Sequence, residues 1–387
     1  MTRHGFIGAA LLLTLGVSGC ADAAPLPRVI TNTVELDRAL EQAKGGERIV
    51  LAPGNYGISL ANRQFTAPVT ITSQSRDAIA QISRFMVKNV SNLTFERVAI
   101  GRPLNAGEPG YSRLADLIES RNILFDHVDF HGSKDGNPAN DGWGLYILGG
   151  SKVTVRRSAF SELTRGAVSS RITGLKFEGN SFTTIASDGS NFAAVDDVEI
   201  VGNCFTGFSP QPGDHPDAIQ FWTQGQTRGS SRVRIADNQL FQGDGEGFQG
   251  IFIGGEPGKR HSKFEIVNNL IYVQDQYHGI AVADADDVLI ADNTVVSIPD
   301  HRPLWISVLR VGNAEIRGNI TDRILNRESN AIRLADNTVL DESPGARGKL
   351  KDLRAGAAAS AAGLTISGRG YQGAPHQCGA GTGARAD

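Results

Sequence analysis

Cysteine, methionine and tryptophan are scarce in this chain, with 3, 2 and 3 copies among 387 residues. An excess of charge is missing too: 38 Lys+Arg oppose 41 Asp+Glu, a formal charge of −3. That balance removes the electrostatic footprint of a general nucleic-acid binder. Beyond the first residues there is no apolar run long enough to cross a bilayer as a helix. What remains, 40% hydrophobic and 20% charged residues, is the composition of a folded soluble protein and excludes disorder and collagen-like fibre. Glycine is the one surplus. Its 46 copies exceed the roughly 27 that a usual share of about 7% would supply, and point to many tight turns between short strands.

Arg3 and His4 precede an apolar stretch from Phe6 to Val17, which fits an export signal and is too short for a membrane span. The stretch ends in Val17-Ser18-Gly19-Cys20, similar to a bacterial lipobox. The expectation is a signal peptide over 1–19, cleavage before Cys20 and lipidation of Cys20, giving a lipoprotein of the cell envelope, periplasmic or outer-membrane. An ordinary signal cut within Ala21-Asp22-Ala23-Ala24 would give a soluble periplasmic or secreted protein instead. Lipidation of Cys20 leaves Cys204 and Cys378. An oxidising compartment permits a disulfide between them, and two free thiols are the alternative.

The body of the chain repeats one short pattern: alternating apolar residues, then an Asn three positions after a central anchor. The anchors Phe177, Ile200, Ile235, Ile266, Ile290, Ile316 and Leu334 are followed by Asn180, Asn203, Asn238, Asn269, Asn293, Asn319 and Asn337. Earlier copies without the Asn centre on Phe95, Phe125 and Val155, and successive anchors lie 18 to 35 residues apart. Period-two alternation means strands with one buried face. Short strands and a polar turn in every period predict an all-β solenoid, a parallel β-helix of about ten coils with the Asn side chains stacked inside as a ladder. These periods are too short for the blades of a propeller. Asn32-Thr33-Val34-Glu35 reads as a capping box before a helix over 36–44 that would cover the open first coil. The solenoid is expected over 28–345, and a C-terminal cap with a loose tail over 346–387.

The cap helix, the string GGERIVLAPGNY (45–56) and the Asn-bearing coils resemble the right-handed parallel β-helix superfamily of pectate-lyase-like proteins, over roughly residues 28–345. The resemblance implies a carbohydrate-active protein and leaves the reaction open, because the superfamily holds lyases, hydrolases and epimerases.

In a parallel solenoid the outward residues of successive coils stand about 4.8 Å apart, so a functional row should occupy one repeat position. Aligning DGWGLYI (141–147), RGAVSS (165–170), DGSNFAA (188–194), DAIQFWT (217–223), QGIFIGG (249–255) and HGIAVAD (278–284) gives Asp141, Arg165, Asp188, Asp217, Gln249 and His278, continued by the apolar Leu304. Asp-Gly at 141–142 and 188–189 is also an ordinary turn solution. Loops at 224–231 and 255–262 are expected to wall the groove. Gln220 and Trp222 lie close to Asp217 in sequence, Trp143 and Asn191 occupy nearby outward positions, and with Asp141 and Gln249 of the row these residues read as sugar contacts, while His215 in the same segment is a catalytic candidate. Asp126, Asp129, Asp135 and Asp141 offer oxygen ligands for Ca²⁺, but their spacing matches no loop motif, so solvated acids are the preferred reading and a Ca²⁺ site the alternative.

Two reactions fit such a row. In a lyase, His278 or His215 would be the base, Tyr277 the acid, and Arg165 with Gln249 the carboxylate clamp on a uronate. In a hydrolase, Asp188 and Asp217 would flank the bond. Asp188, Asp217 and His278 are similar in placement to residues of polygalacturonase-like hydrolases, but the strings SDG (187–189), HPD (215–217) and YHG (277–279) depart from that family's pattern. The Lys and Arg arrangement of chondroitinase-B-like and alginate-lyase-like members is not matched either. Elimination on a uronate-containing polysaccharide is the leading expectation, with a non-catalytic carbohydrate-binding solenoid as the reading from another class. The expected partner is an acidic polysaccharide. No nucleic acid, a monomeric chain and membrane contact through a lipid anchor alone complete the expectation.

Overall fold

The computed structural model describes residues 1, 29–298, 300–347 and 368–372. The signal-like segment, Cys20 and Cys378 lie outside the described residues. No helix among the described residues is long and apolar enough to cross a membrane.

The chain winds into a right-handed parallel β-helix, and all ten anchors fall in one register. Phe95, Phe125, Val155, Phe177, Ile200, Ile235, Ile266, Ile290, Ile316 and Leu334 are successive cross-strand partners. A full coil carries three strands rather than the two expected. The anchor strand, for example Asp196–Val201, is followed by a short strand such as Cys204–Thr206 and then by a third such as Asp217–Trp222. Inward phenylalanines stack from coil to coil: Phe130, Phe160, Phe182 and Phe205 have ring centroids 4.7, 4.5 and 4.5 Å apart. All four are essentially inaccessible to solvent. Leu334, in the last anchor strand, is exposed, because no further strand pairs on it among the described residues.

The Asn ladder has a backbone cause. The residue before each Asn (Gly179, Gly202, Asp237, Asn268, Asp292, Gly318, Asp336) has φ between 53° and 66°, a left-handed bend that Gly, Asn and Asp enter most easily. The bend turns the following Asn inward. From Asn180 to Asn337, each Nδ2 donates to the Oδ1 of the next Asn at 2.9–3.0 Å. Each Nδ2 also donates to the carbonyl of the anchor one coil back, as Asn203 does to Phe177 at 2.9 Å. Polar groups that the turn would strand in the core are thereby satisfied.

At the amino end, Asn32 caps the helix Thr33–Gln42 by accepting from the Glu35 amide at 3.0 Å, and Leu36 and Leu40 are buried beneath it. At the other end, part of the segment read as a loose tail is docked. Residues 368–372 return to the solenoid, where Tyr371 is fully buried and its hydroxyl accepts from Gln239 Nε2 at 2.9 Å. Cys204 is disulfide-bonded, and its partner lies outside the described residues.

Candidate functional site

The third strand of each coil builds the groove. In order these strands are Arg113–Ile118, Trp143–Leu148, Arg165–Ser170, Ser190–Ala193, Asp217–Trp222, Gln249–Ile253, His278–Ala283, Trp305–Leu309 and Arg323–Arg327. From Trp143 to His278 each coil enters this strand at a corner where a small residue is compulsory. A Cβ on Gly166 would lie 2.4 Å from the Gly189 carbonyl oxygen and 2.8 Å from the Phe182 ring. The same position is Gly189, Ala218, Gly250 and Gly279 in the following coils. Because that corner residue and its successor both face the core, the outward side chains stand at the first, fourth and sixth positions of the strand. Asp217, Gln220 and Trp222 therefore share one face, as do Asp188 and Asn191.

This corner corrects the expected row at both ends. The register partner of Arg165 is Trp143, not Asp141: of the two successive X-Gly pairs, Trp143-Gly144 takes the corner and Asp141-Gly142 precedes it. Asp141 is fully buried beside the groove, accepting from the Ser133 amide and hydroxyl at 2.6 and 3.0 Å, so it is no sugar contact. Beyond His278 the partner is Trp305, reached through a register shift at a coil lacking the corner glycine, and not Leu304. The row is thus Trp143, Arg165, Asp188, Asp217, Gln249, His278, Trp305, Arg323. All three tryptophans of the chain stand on this face, each half-buried.

At the centre is an acid–amide tetrad of the buried Asp188, Asn191 and Asp217 with the half-buried Gln220. Asn191 Nδ2 donates to Asp188 Oδ2 at 3.0 Å and to Gln220 Oε1 at 2.9 Å, while Gln220 Nε2 donates to Asp217 Oδ2 at 2.7 Å. The Asp217 amide donates to Asp188 Oδ1 at 3.0 Å. Arg165 reaches Asp188 Oδ2 at 3.4 Å and lies over the Trp143 ring, 5.2 Å from its centroid. Asp217 is only 4% exposed. Burial first, then the neighbouring Asp188 carboxylate, push its acid well above the usual carboxylate range. Its Oδ1 has no protein partner.

Two coils onward lies an aromatic shelf. His278 stacks on Phe252 at 5.5 Å and meets Tyr277 edge-on at 4.4 Å, and Trp305 lies 5.8 Å from His278 and 5.1 Å from Tyr277. Burial, and then the Arg327 charge, lower the His278 imidazolium to about 4. Its Nδ1 is buried without a protein partner. Gln249, buried, occupies the coil between Asp217 and His278. His215 stays apart, exposed in the loop before Asp217. The loops at 224–231 and 255–262 leave the groove strands just after Trp222 and Ile253, along one edge of the face.

Of the acids read as Ca²⁺ ligands, Asp126 is engaged by Arg156 and Arg157 and Asp129 by Lys134. Asp135 and Asp141 instead converge with Glu162, and one ligand oxygen from each lies within 4.8 Å of the others. Burial raises the Asp141 acid, with Asp135 and Glu162 adding to the shift. These three carboxylates could hold a divalent cation. Glu162 was missed in the sequence because it belongs to the next coil.

Asp217 and His278 make opposite contributions to stability against pH. A raised Asp217 acid means the folded chain binds more protons than the unfolded one above the ordinary carboxylate value, so stability falls as pH rises. The lowered His278 means the reverse between about 4 and the ordinary histidine value of about 6.5, with stability rising there. Asp217→Asn, which removes only the charge, is therefore expected to raise the melting temperature at neutral pH and leave it nearly unchanged at pH below the ordinary carboxylate range. A lower melting temperature at neutral pH would show that the carboxylate is charged and held.

A model of right-handed β-helix regions matches residues 143–320. No curated protein sequence matches the chain. Among solved structures, the Dettilon tailspike protein aligns with a TM-score of 0.50 and 14% identity, over 78% of this chain and 64% of the tailspike chain. The chain thus spans less than two thirds of that protein. An alginate lyase from Paenibacillus sp. str. FPU-7 aligns with a TM-score of 0.50 and 15% identity, over 80% of this chain and 98% of the lyase. Such identities show the fold alone. The fold and the family match define a right-handed parallel β-solenoid with one long groove. Residues 143–320 match the right-handed β-helix family, and the chain shares the right-handed parallel β-helix fold of pectate-lyase-like proteins.

Proposed function

We propose that the protein cleaves a uronate-containing polysaccharide by β-elimination in the groove around Gln249. One observation carries the reading. Asp217 Oδ1 and His278 Nδ1 are both buried without protein partners among the described residues, two coil steps of about 4.8 Å apart, and burial pushes each toward its uncharged form. Elimination at a uronate needs that combination: a neutral base, and hydrogen-bond donors for the charge that builds on the carboxylate. Asp217, protonated, and Gln249 would donate to the carboxylate. His278 would take the proton α to it, the freed electron pair would form the ring double bond, and the glycosidic oxygen would leave with the proton of Tyr277. Returning the proton from His278 to Tyr277, its edge-on neighbour, resets the site.

The alginate lyase among the structural neighbours shares this fold and says nothing of the substrate here. A hydrolytic reading is favoured by one observation of its own, the buried Asp217, its acid pushed upward, beside the second carboxyl group of Asp188, a pair that could flank a glycosidic bond. Incubation with acidic and neutral polysaccharides separates the cases. Ultraviolet absorbance from the new double bond, rising together with reducing ends, is the expected result. Reducing ends alone would mean hydrolysis, and neither signal would mean a binding solenoid.

A further inference from the structure

The arginines near the last coils fall into two groups. Arg310 sits on Asp284 at 2.6 Å, Arg260 on Asp286 at 2.6 Å, Arg317 on Asp292 at 3.4 Å, and Arg323 is paired with Asp341. Arg302 and Arg327 are different. Both are exposed, neither has a carboxylate partner among the described residues, and each faces an aromatic ring. Arg302 lies 5.5 Å from the Tyr277 centroid and Arg327 lies 6.0 Å from the Trp305 centroid. The two rings are themselves 5.1 Å apart, and Trp305 Nε1 is buried with no protein partner. A half-buried indole with an unanswered donor, beside two unneutralised guanidiniums, is a poor arrangement for an empty surface and a good one for a ligand that is apolar on one face and anionic at its edge.

We propose that Tyr277, Trp305, Arg302 and Arg327 form a subsite for one acidic sugar residue of the substrate, its ring face on the aromatics and its carboxylate on the guanidiniums. The proposal rests on the groove reading above and adds how the groove selects charge. The subsite lies beyond His278, on the side away from the acid–amide tetrad. At the tetrad's other flank Arg165 is already engaged by Asp188, so next to the reacting centre these two arginines are anion-selecting groups with no carboxylate partner among the described residues. Arg327 also contributes to the lowered His278 proton affinity, which places its charge within reach of the same space. A carboxylate docked on Arg327 would offset that charge and raise the basicity of His278 when substrate is bound.

The test is binding, read by tryptophan fluorescence or calorimetry in a His278→Ala background, which removes the base of the elimination and slows turnover. The probes are tetrasaccharides of galacturonate, mannuronate and guluronate, each with its carboxyl-reduced counterpart. The expected result is that at least one acidic probe binds and its reduced counterpart binds much more weakly. Arg302→Ala and Arg327→Ala should each weaken the acidic probe about tenfold or more, as for loss of a charge-assisted hydrogen bond. Melting temperatures should not move, because both side chains are exposed. In the otherwise wild-type enzyme the same changes should raise KM more than they lower kcat. Equal affinity for acidic and reduced probes, no binding of any acidic probe, or an unchanged affinity in the double variant would each overturn the subsite. Lost affinity in the variants of a protein that never eliminates would uphold the subsite and sink the elimination reading. Elimination that survives with unchanged affinity in the variants would do the reverse.

Discussion

His278→Ala is expected to lower kcat/KM by about 10²–10⁴-fold, the usual contribution of a positioned general base, with no loss of cooperative unfolding. The side chain faces the groove and makes no hydrogen bond to the solenoid, so the core keeps its packing. Asp217→Asn should behave differently, and this contrast decides between the two reactions. In elimination Asp217 acts as a neutral donor. An Asn can keep its oxygen on Gln220 Nε2 and turn its own amide toward the place now faced by Oδ1, so activity should stay within about tenfold of wild type, the scale of one neutral hydrogen bond. In hydrolysis the same residue must give up a proton, which Asn cannot do, and the loss should match that of His278→Ala or exceed it. The pH profile adds an independent check. The acid limb of kcat/KM should reflect His278 in the free enzyme, near about 4, and should vanish in His278→Ala. Full activity in His278→Ala would put the base elsewhere on the groove. Severe loss in Asp217→Asn, with reducing ends and no double bond, would give the protein to the hydrolases.

The solenoid was legible because its signals are repeated and backbone-borne. An anchor with an Asn three residues later recurs through seven coils, and each Asn follows a residue suited to left-handed φ, so register was readable strand by strand. The groove row was legible for the same reason from Arg165 to His278, where every coil carries a small corner residue after the outward position. It failed at Asp141 because two X-Gly pairs compete there. It failed at Leu304 because the corner glycine is missing and the register shifts by one, which hid Trp305. What no single strand could reveal was the contact between coils. The Asn191 bridge from Asp188 to Gln220, the Glu162 carboxylate beside Asp141, and the carboxylate-free Arg302 and Arg327 all depend on which loop lies over which coil. The docking of residues 368–372 was hidden on similar grounds: Tyr371 is one aromatic in an Ala/Gly-rich stretch, and only the fold shows that it fills a buried site in one cluster with Leu340.

Asn269→Ala should be the most damaging single substitution outside the groove. Asn269 Oδ1 accepts from the Asn238 amide at 3.1 Å and from Asn238 Nδ2 at 2.9 Å, and its Nδ2 donates to Ile235 O at 3.0 Å and to Asn293 Oδ1 at 3.0 Å. Alanine leaves the buried Asn238 amide hydrogen with nothing to meet it. A stranded buried polar group costs about 1–3 kcal/mol, and the ladder bonds lost with it add a comparable amount, so about 2–5 kcal/mol is expected. A solenoid is a chain of nearest-neighbour interfaces, and a single unfolding free energy is a poor measure of it. Amide hydrogen exchange is the right probe. Protection should fall first at Asn238 and in the anchor strands Ser231–Ala236 and His261–Val267, and less at the cap helix several coils away. Asn337→Ala supplies the contrast. Asn337 is only half-buried and stands at the ladder's last described rung, where water can replace the missing amide, so its loss should cost about 1 kcal/mol or less. Equal effects at the two positions would mean that the ladder merely follows the turns and does not hold the coils together.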